Sequence, residues 1–317
     1  MHSPIAALLI FISLSLKCRY RNDHGLGRAT ATLAADIGAE GVMSSAALLP
    51  WRSLDAVFIC TPPHDRGIVE MAAIEHGVAV FVEKPIALRA ADAWPLLAQL
   101  AERPIVNAVG YMNRYRRSVA ELRSALELEQ PISFQARWIN GIYRVPWWSN
   151  AAQSGGSLNE QATHFFDLVR FLLGEVSDVS VASEPHPAYS GLVGTAAITF
   201  TMRSGVVGSL NYSCRASYKA IAFSVATQSQ EFELRGWDLL PTEPPTPPDR
   251  NAIFREETAR FLTAVAGGAN EILSTLEDAV RTQAVADAID QAARTGQRVA
   301  LTPEDRASGL CASPVPV

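Results

Sequence analysis

The sequence predicts an α/β chain of two domains: a doubly wound parallel sheet over residues 1–110, incomplete at its start, and an α+β domain over residues 111–317 with a mostly antiparallel sheet. Three observations carry this reading. Before Tyr111, short apolar strands without polar alternation are separated by helical segments, as in a parallel sheet covered on both faces. After Tyr111 the strands partly alternate apolar with polar, as in an antiparallel sheet with one open face. Finally, 317 residues with 48% hydrophobic content are ordinary for a two-domain globular chain.

The first half reads in order as a helix at 28–39, a strand at 55–60, a helix at 65–77 and a strand at 78–82. A helix at 89–102, with Pro95 as a kink or late start, and a strand at 104–110 complete it. In the second half, strands are predicted at 132–140, 196–202, 205–213 and 220–227, the middle two joined by the turn Arg203-Ser204-Gly205. The proline-rich stretch 241–248 reads as a loop, and helices follow at 252–266 and 277–294.

A formal charge of −5 without a long basic run gives no electrostatic reason to expect nucleic acid or an anionic membrane as partner. Four cysteines, Cys18, Cys60, Cys214 and Cys311, are scattered and form no close pair, so neither a disulfide framework nor a metal site is predicted. The expected setting is a reducing, cytoplasmic one. The apolar run at 5–16 is too short to span a bilayer, lacks a basic flank and leads to no small-residue cleavage site. Its β-branched and aromatic residues suit a buried strand that opens the sheet.

Charge follows the strand at 78–82 abruptly, as Glu83, Lys84 and Pro85. Ligands of open α/β sheets bind beyond the carboxyl ends of the strands. The same residues also suit the start of a solvated loop, and position alone leaves both open. Cys60-Thr61-Pro62-Pro63 ends the preceding strand similarly, and two rigid exits side by side would form one wall of a crevice. The second constellation lies at 154–175. Helical spacing gathers Leu158, Ala162, Phe165, Phe166, Val169, Leu172 and Leu173 on one stripe, with Glu160, His164 and Asp167 opposite. Ser157 and Glu160 have capping-box spacing, and His164 with Asp167 suits a solvated pair. Against those plain readings stand Phe171, on the side of His164, and Gly155-Gly156 before the helix, which would let a ligand approach the backbone.

Glu-Lys-Pro closing a strand, Gly-Gly followed by Glu160-Gln-Ala-Thr-His164-Phe-Phe-Asp167, and Gly110-Tyr-Met-Asn-Arg114-Tyr at the domain junction resemble the Gfo/Idh/MocA family of NAD(P)-dependent oxidoreductases. The resemblance runs from about Arg28 onward and implies a Rossmann-like N-terminal domain and a large, mostly antiparallel sheet behind it. It implies NAD or NADP as cofactor, a sugar-like or cyclic polyol substrate, and a homo-oligomer, dimer or tetramer, formed through the open sheet face. By the same resemblance, Lys84 is the expected catalytic lysine, His164 the expected acid/base, and Glu160 stands where many relatives have aspartate. Thr61, Pro62, Glu83 and Lys84 are expected against the cofactor. Arg114, Tyr143, Trp147 and Trp148, with His164, are expected toward the substrate, although buried tryptophans are commonly plain core. Hydride exchange at a carbinol carbon requires the hydroxyl proton to move as well, and a histidine or a desolvated lysine can hold it.

A dinucleotide fold opens with strand, glycine fingerprint and helix. Here the G-x-G at Gly25–Gly27 leads into a segment resembling the family's second helix, so the start reads one strand and one helix short. Three readings follow: an active oxidoreductase, a non-catalytic binding or oligomer-forming relative without dinucleotide affinity, or a truncated or mis-started form of the enzyme.

Overall fold

A computed structural model describes residues 7–10, 51–240 and 250–302. The predicted helix at 28–39, the Gly25–Gly27 motif and the proline-rich loop at 241–248 lie outside these, as do Cys18 and Cys311.

Four strands, β1 (Ala7–Ile10), β2 (Ala56–Ile59), β3 (Ala79–Val82) and β4 (Asn107–Val109), form one parallel sheet in chain order. The N-terminal apolar run does supply the opening strand: Ala7 through Ile10 align with Ala56 through Ile59. Side chains of successive residues leave a strand on opposite faces, so an apolar run needs cover on both. One face, with Val57, Ile59, Val80, Val82 and Val109, packs under helices α1 (Ile68–His76) and α2 (Ala90–Glu102). The other face carries Ala56, Phe58, Ala79, Phe81 and Ala108. Phe58, Phe81 and Phe261 form an aromatic trio there, with centroids 5.1–5.6 Å apart. Pro95 sits inside α2, past the first turn, and the helix continues through it.

Helix α3 (Arg117–Leu128) leads into the second sheet. Its eight strands are β5 (Pro131–Ile139), β6 (Val176–Pro185), β7 (Val193–Met202), β8 (Val207–Ser213), β9 (Ala220–Thr227), β10 (Glu231–Arg235), β11 (Asp238–Leu240) and β12 (Val299–Ala300). They run in the order β11-β10-β9-β5-β8-β7-β6-β12, antiparallel throughout except for β5 beside β8. The inner face, with Phe134, Trp138, Ile198, Phe200, Leu210 and Phe223, packs on Phe165, Phe166 and Val169. The alternating burial of β7 and β9 leaves the other face open.

Between β5 and β6 lie a short helix α4 (Ala151–Ser154), a π-helical turn (Leu158–Ala162) and helix α5 (Thr163–Leu173). Helices α6 (Arg250–Val265) and α7 (Leu276–Thr295) then return to the first sheet. Phe261 of α6 covers one face, and Leu276, Ala279, Val280 and Ala284 of α7 join the core on the other. Later parts of α7, with Val285, Ile289 and Ala292, belong to the core of the second sheet, so this one helix is packed into both. Among the described residues, no helix is long and apolar enough to cross a membrane.

Candidate active site

The parallel strands deliver their carboxyl ends to one edge of the first sheet. The Glu83 N–H still bonds to Ile59 O at 2.9 Å, and the Gly110 N–H to Val82 O at 2.8 Å, so the ladder runs up to the charged residues. The Lys84–Pro85 peptide is cis. Glu83 lies over the end of β4, where a Cβ on Gly110 would stand 2.9 Å from Glu83 Oε2. A side chain at that position would press on the carboxylate, which would have to shift. Burial raises the Glu83 pKa above the usual carboxylate range, against the opposing pull of Lys84 and Arg66.

Arg66 was not singled out by sequence, because one arginine in an exit loop has no pattern of its own. Its guanidinium donates to Thr61 O, from Nε at 2.9 Å and Nη2 at 2.5 Å, and to Ile59 O from Nη1 at 3.2 Å. It thereby ties down the exit of β2. Thr61 is buried, and its Oγ1 has no hydrogen-bond partner among the described residues. A buried hydroxyl without a partner is costly unless a ligand or water completes it. The Thr61 hydroxyl at the end of β2 could therefore take a hydrogen bond from or to a polar ligand. Residues 11–50, which connect β1 to this region, are outside the described set.

Lys84 reaches across to the second domain. Its Nζ donates to Glu160 Oε1 at 2.6 Å and to Glu160 O at 2.8 Å. Glu160 itself lies within the π-helical turn, a local backbone variant common at functional sites. Glu160 Oε2 accepts from Trp148 Nε1 at 2.5 Å. Both carboxylate oxygens and the main-chain carbonyl of Glu160 are thus engaged. Trp148 is completely buried, and Tyr143, more exposed, meets its ring edge-on at 5.6 Å. Trp147 is partly buried against the core. Next along the turn, Gln161 accepts from Tyr212 Oη at 2.9 Å and donates to Gly141 O at 3.0 Å, which pins the turn to the sheet.

His164 follows Glu160 by four residues and is 7% exposed, its ring stacked on Trp138 at 5.7 Å with an 18° tilt. The solvated pairing of His164 with Asp167 does not occur, since Asp167 is buried and turned toward another partner. The capping box is also absent: Ser157 has helical backbone angles, and its hydroxyl donates to Val193 O at 2.6 Å. Nor is α5 amphipathic in place, for it is buried on nearly every side.

Arg114, expected toward the substrate, enters an ion cluster at the domain junction. It is buried, with Nε and Nη2 donating to Asp167 at 2.9 and 2.5 Å, Nη1 to Leu273 O at 2.5 Å, and Nη2 reaching Asp278 Oδ2 at 2.6 Å. Arg170 joins the same cluster through Asp278 and Glu175. Phe171 lies between two guanidinium groups, Arg114 at 4.7 Å and Arg123 at 4.5 Å. Burial works against ionisation of Asp278, but Arg114 and Arg170 hold its carboxyl below the usual range. This cluster joins the domain junction to α5 and the start of α7, and every guanidinium nitrogen of Arg114 is committed to it. Asp167, Asp278 and Leu273 are distant from Arg114 in sequence, so no local pattern announces this cluster.

A family model for the NAD-binding Rossmann fold of an oxidoreductase family matches residues 23–111, and a model for the GFO/IDH/MocA C-terminal domain matches residues 117–237. Among curated relatives, a myo-inositol 2-dehydrogenase of Thermotoga maritima is 26% identical over 174 residues, 52% of this chain and 52% of that protein. A scyllo-inositol 2-dehydrogenase (NAD(+)) of Bacillus subtilis is 28% identical over 176 residues, 52% of this chain and 50% of that protein. The chain thus spans about half the length of the curated relatives it matches. Two solved structures share the fold. A levoglucosan dehydrogenase in complex with NADH superposes with a TM-score of 0.78 at 19% identity, covering 87% of each chain. A putative myo-inositol dehydrogenase from Sinorhizobium meliloti gives 0.76 at 20% identity, covering 94% of this chain and 92% of that one. With both of its domains matched by models of one family, the chain belongs to the Gfo/Idh/MocA oxidoreductases.

Proposed function

We propose that the chain is an NAD(P)-dependent oxidoreductase acting on a CH–OH group of a sugar-like or cyclic polyol substrate. The observation that carries this is the Lys84–Glu160 contact, which joins the strand ends of the first sheet to the buried π-helical turn before α5 at 2.6 Å. Relatives whose names specify inositol dehydrogenases support the substrate class. A bound nicotinamide would take up or supply the hydride. Thr61, Pro62 and Glu83 are the residues proposed to hold it. Lys84, oriented by Glu160, would hydrogen-bond the reacting oxygen, and His164 would take or return its proton. Tyr143 and Trp147 would offer apolar faces to the C–H surface of the ring. The same proposal includes a cytoplasmic homo-oligomer associating through the open face of the second sheet.

Fluorescence titration with NADH and NADPH, followed by a screen of polyols and sugars for reduction of NAD and NADP, tests the proposal. Binding of one nucleotide and oxidation of at least one polyol are expected. Failure of both nucleotides to bind would contradict it.

A further inference from the structure

Beside Glu160 in the chain and across on α7, two amide side chains are buried. Asn159 is 6% exposed and Gln283, on α7, is wholly buried. Gln283 Nε2 donates to Asn159 Oδ1 at 2.7 Å. Asn159 Nδ2 donates to Ser154 O at 3.0 Å and to Ala87 O at 3.4 Å. Gln283 Nε2 also lies 3.4 Å from Leu88 O and from Asp287 Oδ1. Asp287 Oδ2 in turn accepts from the Ala90 N–H at 2.8 Å, which caps α2 from the other domain. The segment 87–90, which begins three residues after Lys84, is thus tied to α7 and to the residue preceding Glu160.

The bonding argues against simple packing as the purpose. Ala87, whose carbonyl accepts from Asn159, Leu158 beside it in the chain and Ala279, one helical turn before Gln283, are all buried. Gln283 Oε1 has no hydrogen-bond partner among the described residues, a cost that an apolar pair would avoid. A buried polar pair instead fixes register, since its bonds form in only one arrangement. Gly155 belongs to the same device: its φ is +74°, and a Cβ there would stand 3.0 Å from Asn159 Cγ. The first glycine of the Gly-Gly pair therefore admits the asparagine amide.

We infer that Asn159 and Gln283 are positioning residues, a buried amide latch that sets the Lys84 loop against the Glu160 turn. The inference rests on the reading that Lys84 and Glu160 carry the chemistry, and the test separates the two. The chain has three lysines, Lys17, Lys84 and Lys219, of which Lys219 is exposed and serves as internal reference. Acetic anhydride labelling followed by mass spectrometry gives the reactivity of Lys84 relative to Lys219 without any need for turnover.

In Asn159→Leu, Gln283→Met and the double variant, relative Lys84 labelling is expected to rise roughly tenfold, as one buried bond lost from a local opening equilibrium implies. The double variant should match the singles, because either change opens the same latch. With a polyol substrate, kcat should fall while KM stays within about twofold, the signature of lost transition-state positioning. Unchanged Lys84 labelling in folded variants would overturn the latch even if the wild type is an active dehydrogenase. Raised labelling in the variants, together with no turnover by the wild type, would support the latch and count against the proposed activity. Should Asn159→Leu fail to fold, Gln283→Met, nearly isosteric, decides the question alone.

Discussion

Trp148 donates its indole N–H to Glu160 Oε2 at 2.5 Å, so a fully buried tryptophan fixes the carboxylate whose other oxygen holds Lys84. The long glutamate side chain spans the gap between core and crevice, with one oxygen committed to each.

Trp148→Phe keeps most of the packing and removes the donor. A hydrogen bond to a charged group contributes about 1.5–3 kcal/mol, so kcat/KM for a polyol should fall about tenfold to hundredfold. Steady-state kinetics check this. A rise in KM alone would instead place the ring directly against substrate.

Arg114 should behave as a strut. Removing one partner of a buried ion cluster leaves Asp167 and Asp278 uncompensated, so Arg114→Met is expected to cost about 3–5 kcal/mol in urea unfolding. Arg114→Lys should not restore the loss, since a lysine cannot make the two-pronged contact with Asp167. Retained stability with a raised KM would return Arg114 to the substrate.

Much of this was legible in sequence, and the boundary is physical. Strands buried on both faces, such as Ala79–Val82, announce themselves as continuous apolar runs, and Glu83-Lys84-Pro85 stands out by contrast at the end. The short N-terminal strand was readable as a continuous apolar run. By contrast, β6 mixes serine, aspartate and glutamate into its run and buries few positions, so its pattern is weak. The Glu160–Trp148 and Asn159–Gln283 contacts join residues 12 and 124 positions apart, which no local periodicity encodes. Helical spacing placed Glu160, His164 and Asp167 together, but it could not show that their side of the helix is also buried.

The two glycines before the π-helical turn should differ. Alanine at either carries the strain of positive φ, about 1–2 kcal/mol. Gly155→Ala adds overpacking against Asn159, worth about 1–3 kcal/mol more, whereas a Cβ on Gly156 meets open space. Thermal melting of the two variants should place Gly155→Ala clearly below Gly156→Ala. Equal melting temperatures would refute the role given to Asn159.

Glu257 of α6 is 1% exposed, and burial, with Glu83 and Asp167 facing it, raises its pKa from 4.5 to about 9. Between those values the unfolded chain has released a proton that the native chain keeps, so this group's stabilising contribution falls as pH rises and is gone above about 9. Glu257→Gln removes the titration. The variant should lose that slope and gain on the order of a few kcal/mol over wild type near pH 8 while matching it near pH 5, read from urea midpoints. Parallel pH curves for the two proteins would contradict the assignment.

The most direct test of the Lys84–Glu160 centre is kcat for the best polyol substrate in Lys84→Met, with the NADH Kd measured on the same preparation. The account predicts a fall in kcat of about a hundredfold to ten-thousandfold, the range for losing a positioned proton-transfer group, while Kd changes by less than about fivefold. A folded Lys84→Met protein that turns over within about threefold of wild type would contradict it.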